Sequence, residues 1–235
     1  MNHFITFANK LLNNWLCLCF LIIPSGLSAQ TRINCGKTNF TVPSFNSDPK
    51  SASYEQFFVK YHLIEPINES KSDFEIRYYA NQGVYIHELL IIRCDKQGVK
   101  AERFHLEEVD RQFSDQLSIG FVQVLPPNYK GDRFLFLKKD THLKPQKVQS
   151  WKYFFTELIK YHIYNAPSED EMRSIVMKRY PEISGVGESA AHIELKVKDK
   201  FRYIKSQLSY YEPEPTDIKV YNDLQHVFYL LTQIQ

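Results

Sequence analysis

Val84 to Leu106 reads VYIHELLIIRC-DKQG-VKAERFHL, and the fold turns on these residues. The run from Val84 to Cys94 is apolar on both alternating faces, which predicts a strand buried on both sides, central in a sheet. Asp95, Lys96, Gln97 and Gly98 carry turn chemistry, with Gly98 free to take a positive φ. Val99 to Leu106 then returns as the hairpin partner. Just upstream, Phe74, Ile76 and Tyr78 alternate with Glu75, Arg77 and Tyr79, so a third strand precedes the hairpin and sequential antiparallel pairing is expected.

Towards the carboxyl terminus, Gly120, Pro126 and Pro127 favour a strand or loop over Ser118 to Leu125, and Arg133 to Lys138 is a compact strand. After Pro145 the period becomes helical, with Val148, Trp151, Phe155, Leu158 and His162 on one stripe and Phe154 and Ile159 widening it. Ser168 caps a second helix with Glu171 three residues on, and Pro181 stops it. The connection Asn165-Ala166-Pro167 is short, so the two helices are expected side by side.

Beyond a loop holding Gly185 and Gly187, Ile193, Leu195 and Val197 alternate with His192, Glu194, Lys196 and Lys198. That pattern predicts a hairpin with one solvated face, turned by Asp199 and Lys200 into a strand from Phe201 to Leu208. Thr216 can cap a last helix striped by Tyr221, Leu224, Val227, Phe228 and Leu231. Near the other end, Tyr54, Phe57, Phe58 and Tyr61 share one face of a short helix ending near Pro66. The whole reads as an α+β fold: a mainly antiparallel sheet of hairpin-linked strands packed against helices, one domain over residues 54–235.

Residues 1–29 read as a secretory signal peptide. Lys10 precedes an apolar run from Trp15 to Ile23, well short of the roughly 20 residues needed to span a bilayer. Pro24, Ser25 and Gly26 end the run, and Ser28 and Ala29 offer a cleavage point before Gln30. Removing 29 residues from a chain of 235 leaves 206 and lowers the formal charge from +2 to +1. So balanced a chain gives no reason to expect nucleic-acid or anionic-membrane binding. Residues 30–53 read as an extended amino-terminal segment, and order is expected to lapse over Ser44 to Ser53 and Glu212 to Pro215.

Cys17 and Cys19 leave with the leader, and Cys35 and Cys94 remain. In an oxidising compartment they are candidates for a disulfide; two separate thiols, with Cys94 simply buried, is the alternative. Neither has a CxxC partner, and HExxH, EF-hand, Walker and dinucleotide-binding signatures are missing from the sequence, so no metal or cofactor is expected. Ser118 and Ser184 lie near glycines but outside any nucleophile elbow.

The nearest approach to a catalytic constellation is His87 beside Glu88, with His105 on the partner strand. A tight turn would bring both imidazoles to one end of the hairpin, where they can hold zinc or move a proton. Against this, adjacent His87 and Glu88 point to opposite faces of a strand. A second candidate is a basic, aromatic binding face of Lys196, Lys198, Lys200, Arg202, Tyr203 and Lys205, followed by Tyr210 and Tyr211. Such a face suits an anionic glycan or lipid head groups, but equally an ordinary solvated strand face.

The pieces Phe74-Glu75-Ile76-Arg77-Tyr78, Glu88-Leu89-Leu90-Ile91-Ile92-Arg93 and Ile193-Glu194-Leu195-Lys196 before a closing helix resemble exported proteins of unknown function from Gram-negative bacteria of the Bacteroidota type. The Ser28-Ala29-Gln30 end of the leader is similar too. The resemblance implies location and fold class and transfers no site residues. The expectation is therefore a periplasmic or extracellular protein, a non-catalytic binding or structural component of the cell envelope. Its partner would be an envelope protein or glycan, with no membrane span once the leader is gone. The alternative is an envelope-acting hydrolase whose site is assembled from separated residues.

Overall fold

Seven strands pair in the order β6-β7-β5-β4-β3-β8-β9, every neighbour antiparallel. The computed structural model describes residues 30–48, 57–81, 85–110, 112, 119–126, 129–146, 150–182, 191–206 and 217–235. Along this chain lie β1 (Gln30–Cys35), β2 (Thr38–Pro43), α1 (Phe57–Lys60), a 3-10 turn (Ile67–Glu69), β3 (Phe74–Asn81), β4 (Ile86–Asp95) and β5 (Gly98–Val109). They are followed by β6 (Val122–Val124), β7 (Phe134–Thr141), α2 (Trp151–Lys160), a second 3-10 turn (Ile163–Asn165), α3 (Glu169–Arg179), β8 (Ala191–Val197), β9 (Lys200–Ser206) and α4 (Lys219–Thr232). The fold is α+β, as the strand and helix periods predict. The leader, Tyr54, Val148, Ser118, Ser184, Gly185, Gly187, Tyr210, Tyr211, Glu212–Pro215 and Thr216 lie outside the described residues.

β4 holds the middle of the sheet, and Leu89 to Ile92 are buried on both of its faces. Its turn into β5 is two residues long: Asp95 pairs with Gly98, Asp95 Oδ1 accepts from the Gln97 amide at 2.8 Å, and Gly98 adopts φ 132°. Gly36, at φ 57° in the β1–β2 turn, meets this turn; a Cβ on it would lie 3.2 Å from Gly98 Cα. Both turns need glycine for the positive φ, and Gly36 also for the close approach.

Residues 30–43 form a two-stranded hairpin whose inward side chains Ile33, Cys35, Phe40 and Val42 join the main core. Phe40 stacks on Phe155 of α2 at 4.3 Å and meets Phe74 of β3 edge-on at 5.0 Å. Cys35 is disulfide-bonded to Cys94 of β4, with Cα atoms 5.2 Å apart, so the separate-thiol alternative falls.

The chain from Ser44 to Asp48 does not lose order. It runs beside β9, where the Asp48 amide donates to the Phe201 carbonyl at 2.9 Å and the Phe201 amide donates to Ser47 Oγ at 3.1 Å. Asp48 Oδ2 then accepts from the Tyr203 amide.

One face of the sheet carries α2, α3 and α4 together with the hairpin; the other is overlain by residues 57–70. Ser168 caps α3 in a full capping box with Glu171, as its spacing predicts. The stripe of α4 is buried as expected, but the helix starts at Lys219 behind Ile218, without a side-chain cap. His162 is not on the α2 stripe: the helix ends at Lys160 and His162 turns out at φ 55°. Both helices joined by the short connection lie on this face, where α2 rests mainly on β2 and α4 and α3 on β9.

Candidate functional site

The two candidate histidines sit at one end of the β4–β5 hairpin but on opposite faces of the sheet. With Asp95 opposite Gly98, the register places His87 opposite Leu106 and Glu88 opposite His105. The constellation therefore does not form.

His105 lies on the helix-bearing face. Its Nδ1 is 2.9 Å from Glu88 Oε1 and its Nε2 3.5 Å from Asp140 Oδ2. With a carboxylate facing each ring nitrogen, neither nitrogen is left to face a substrate, and the two carboxylates lie on opposite sides of the ring instead of converging on a metal. No group of three metal-ligating side chains occurs among the described residues.

His87 lies on the other face in a cluster that sequence reading missed. Its ring stacks on Phe57 at 4.4 Å, and its Nε2 is 3.4 Å from Glu108 Oε1. The Tyr129 hydroxyl donates to Glu108 Oε2 at 3.2 Å, while burial and the Glu108 charge push that phenol up to about 12. Tyr61 packs against Phe57 at 4.5 Å and edge-on against Tyr129 at 5.4 Å. Beside them the Arg133 guanidinium lies 3.7 Å from the centre of the Tyr85 ring, held by Asp110 at 3.2 Å and by the Glu108 carbonyl at 3.3 Å. Tyr85 is 45 % exposed. These side chains come from α1, the turn after it, the outer end of β4–β5 and the 129–133 loop, so no local motif announces them.

The basic hairpin face is not a face. In the β8–β9 register Lys196 and Tyr203 fall on one side of the sheet and Arg202 on the other, where its Nη2 donates to the Ala166 carbonyl. Lys198 is exposed, at φ 56° in the turn, which is formed by Lys198 and Asp199 because Val197 pairs with Lys200. The expected solvated side of β8 is buried: His192, Glu194 and Lys196 are 7, 1 and 8 % exposed.

Beneath residues 57–70 they join a ladder of charges on matched strands. Glu75 of β3 stands opposite Lys196 of β8 and Arg93 of β4; Arg77 stands opposite Glu194, and Tyr79 opposite His192. Arg77 Nε donates to Glu75 Oε1 at 2.6 Å, both side chains fully buried, and its Nη1 donates to the Glu65 carbonyl at 2.6 Å. Burial opposes the Arg77 charge, yet Glu75, Tyr79 and Glu194 outweigh it and hold the guanidinium above its ordinary range. Glu75 Oε2 also accepts from Ser70 Oγ and, at 3.2 Å, from Arg93 Nε. Lys196 donates to the Ser70 carbonyl. Tyr79 donates to Glu194 Oε2 at 2.9 Å, and the Tyr203 hydroxyl shares a 2.6 Å hydrogen bond with His192 Nδ1.

Glu75 takes hydrogen bonds from Ser70, Arg77 and Arg93, so both of its carboxylate oxygens are occupied. The ladder matches opposite charges across β3, β4 and β8 in the observed register.

Tyr79 sets an alkaline limit to stability. Burial, then the Glu194 charge, raises its pKa far above the ordinary phenol value near 10. A raised value means the folded state holds the proton more tightly than the unfolded chain. Its contribution is therefore complete below about pH 10 and falls away as the pH rises beyond that. Denaturation midpoints measured from neutral to strongly alkaline pH should drop above that point, and the drop should be shallower in Tyr79→Phe.

Comparison of the chain with protein-family models, with curated proteins and with solved structures finds no match, so the functional reading rests on the geometry of these clusters.

Proposed function

We propose that this chain is an exported component of the cell envelope, periplasmic or extracellular, that binds a partner and does not catalyse a reaction. The observation that carries the binding reading is the cluster of Tyr61, Tyr85, Tyr129, Glu108 and Arg133. There, ring surfaces and hydrogen-bonding groups are held in place at the open end of the β4–β5 hairpin by ion pairs and stacking. Location is supported by the apolar leader and by the buried Cys35–Cys94 disulfide, a bond that persists in oxidising compartments. No described helix is long and apolar enough to cross a membrane.

The test is fractionation of a Gram-negative host expressing the full chain, with free thiols trapped at lysis, followed by sedimentation of the purified protein with isolated envelope. A shortened, oxidised chain outside the cytoplasm that co-sediments through Tyr85 supports the proposal. A reduced, full-length chain in the cytoplasm would sink the location. Release of soluble sugar or peptide from envelope by the purified chain, abolished in Glu108→Gln, would replace binding with hydrolysis.

A further inference from the structure

We infer that the ligand of the Tyr85–Tyr129 cluster is a neutral glycan. The inference rests on the binding role proposed above and names the chemistry of the partner. A pyranose ring offers a flat face of C–H bonds and a rim of hydroxyls, and it needs an aromatic surface flanked by both donors and acceptors. Tyr85 supplies the surface: it is 45 % exposed, with one ring face backed by the Arg133 guanidinium at 3.7 Å and held flat by that stack. Glu108 supplies a carboxylate and Tyr129 a hydroxyl beside it. Arg133 supplies N–H groups whose direction is set by Asp110 and the Glu108 carbonyl.

The charge pattern selects the class of glycan. Arg133 is matched by Asp110 at 3.2 Å, Glu108 faces His87 at 3.4 Å, and Lys60 lies over the Tyr61 ring at 5.5 Å. Lys60 and Arg133 thus balance Glu108 and Asp110 within the cluster. A uronate or phosphate polymer would bring a line of negative charge to a surface with no net positive field to receive it, whereas an uncharged hexose polymer loses nothing there.

Gly131 provides a probe that spares the fold. A Cβ at this position would run into the far end of the Tyr129 side chain, so the phenol must swing away from Glu108 and Tyr61 while the backbone stays in place. Gly131→Ala therefore displaces Tyr129 from Glu108 without burdening the backbone.

The experiment is retention of the purified, oxidised chain on insoluble neutral glucans, on polygalacturonate and on isolated envelope fragments, each at low and high salt. The expected result is retention on a neutral glucan that salt leaves unchanged and that falls about tenfold or more in Tyr85→Ala and Gly131→Ala, with their thermal unfolding near that of the parent. Retention on polygalacturonate alone, abolished by salt, overturns the neutral class and leaves the binding role standing. Tyr85-dependent retention on envelope fragments with none on either polymer overturns the glycan and points to a protein partner. Absence of retention on all three, fragments included, removes the binding role itself.

Discussion

Arg77→Met is expected to lower the free energy of unfolding by about 3–5 kcal/mol, the usual cost of leaving one member of a buried ion pair behind. Arg77 and Glu75 are both fully buried and bonded at 2.6 Å, with Glu194 opposite Arg77 on the next strand. Methionine fills much of the volume, so the loss reports charge and not a cavity. The check is a urea titration: the midpoint should fall at unchanged slope. The double variant Arg77→Met, Glu75→Gln should recover part of the loss, since it neutralises one of the two carboxylates, Glu75 and Glu194, that Arg77 balances. A change below about 1 kcal/mol would mean that the pair is hydrated in solution and that the ladder is not internal.

The second large effect is expected at the disulfide. Cys35 and Cys94 are 59 residues apart, and closing a loop of that length stabilises a fold by about 4 kcal/mol in the chain-entropy account. The double variant Cys35→Ala, Cys94→Ala should lose about 2–4 kcal/mol. Adding reductant to the parent should bring its denaturation curve onto that of the variant. The amino-terminal hairpin should loosen first, since the bond and the Gly36–Gly98 contact hold its turn against the centre of the sheet. Hydrogen exchange at Ile33 and Phe40 that outpaces exchange in β4 would show this; uniform exchange would argue that Phe40 packing alone retains the hairpin.

The central hairpin was legible because its information is local: a turn tetrad, Asp95 to Gly98, between two apolar runs. The α3 cap was legible for the same reason, Ser168 and Glu171 being three residues apart. The polar side of β8 was misread because alternation looks the same whether every second residue meets water or meets a charge on the next strand. The distinguishing signal lay in the order of signs. Glu75-x-Arg77 and Glu194-x-Lys196, laid antiparallel, pair each carboxylate with a cation, but only once β3 and β8 are known to be neighbours across more than a hundred residues.

The histidines could have been resolved without a structure. A two-residue turn puts His87 opposite Leu106, one step out of phase with His105, and so on the other face. The Tyr85–Tyr129 cluster had no such signal, since its members come from a strand end, a short helix and a loop that share no period.

The strap from Ser47 to Asp48 also bears on how this molecule behaves in a crowd. By taking up the outward amides of Phe201 and Tyr203 and the carbonyl of Phe201, it leaves β9 with little to offer a foreign strand. At the opposite edge of the sheet, β6 is three residues long and itself gives a templating chain few hydrogen bonds to copy. The same six atoms that look like loop anchoring thus also shield this stretch of β9 from the addition of a further strand.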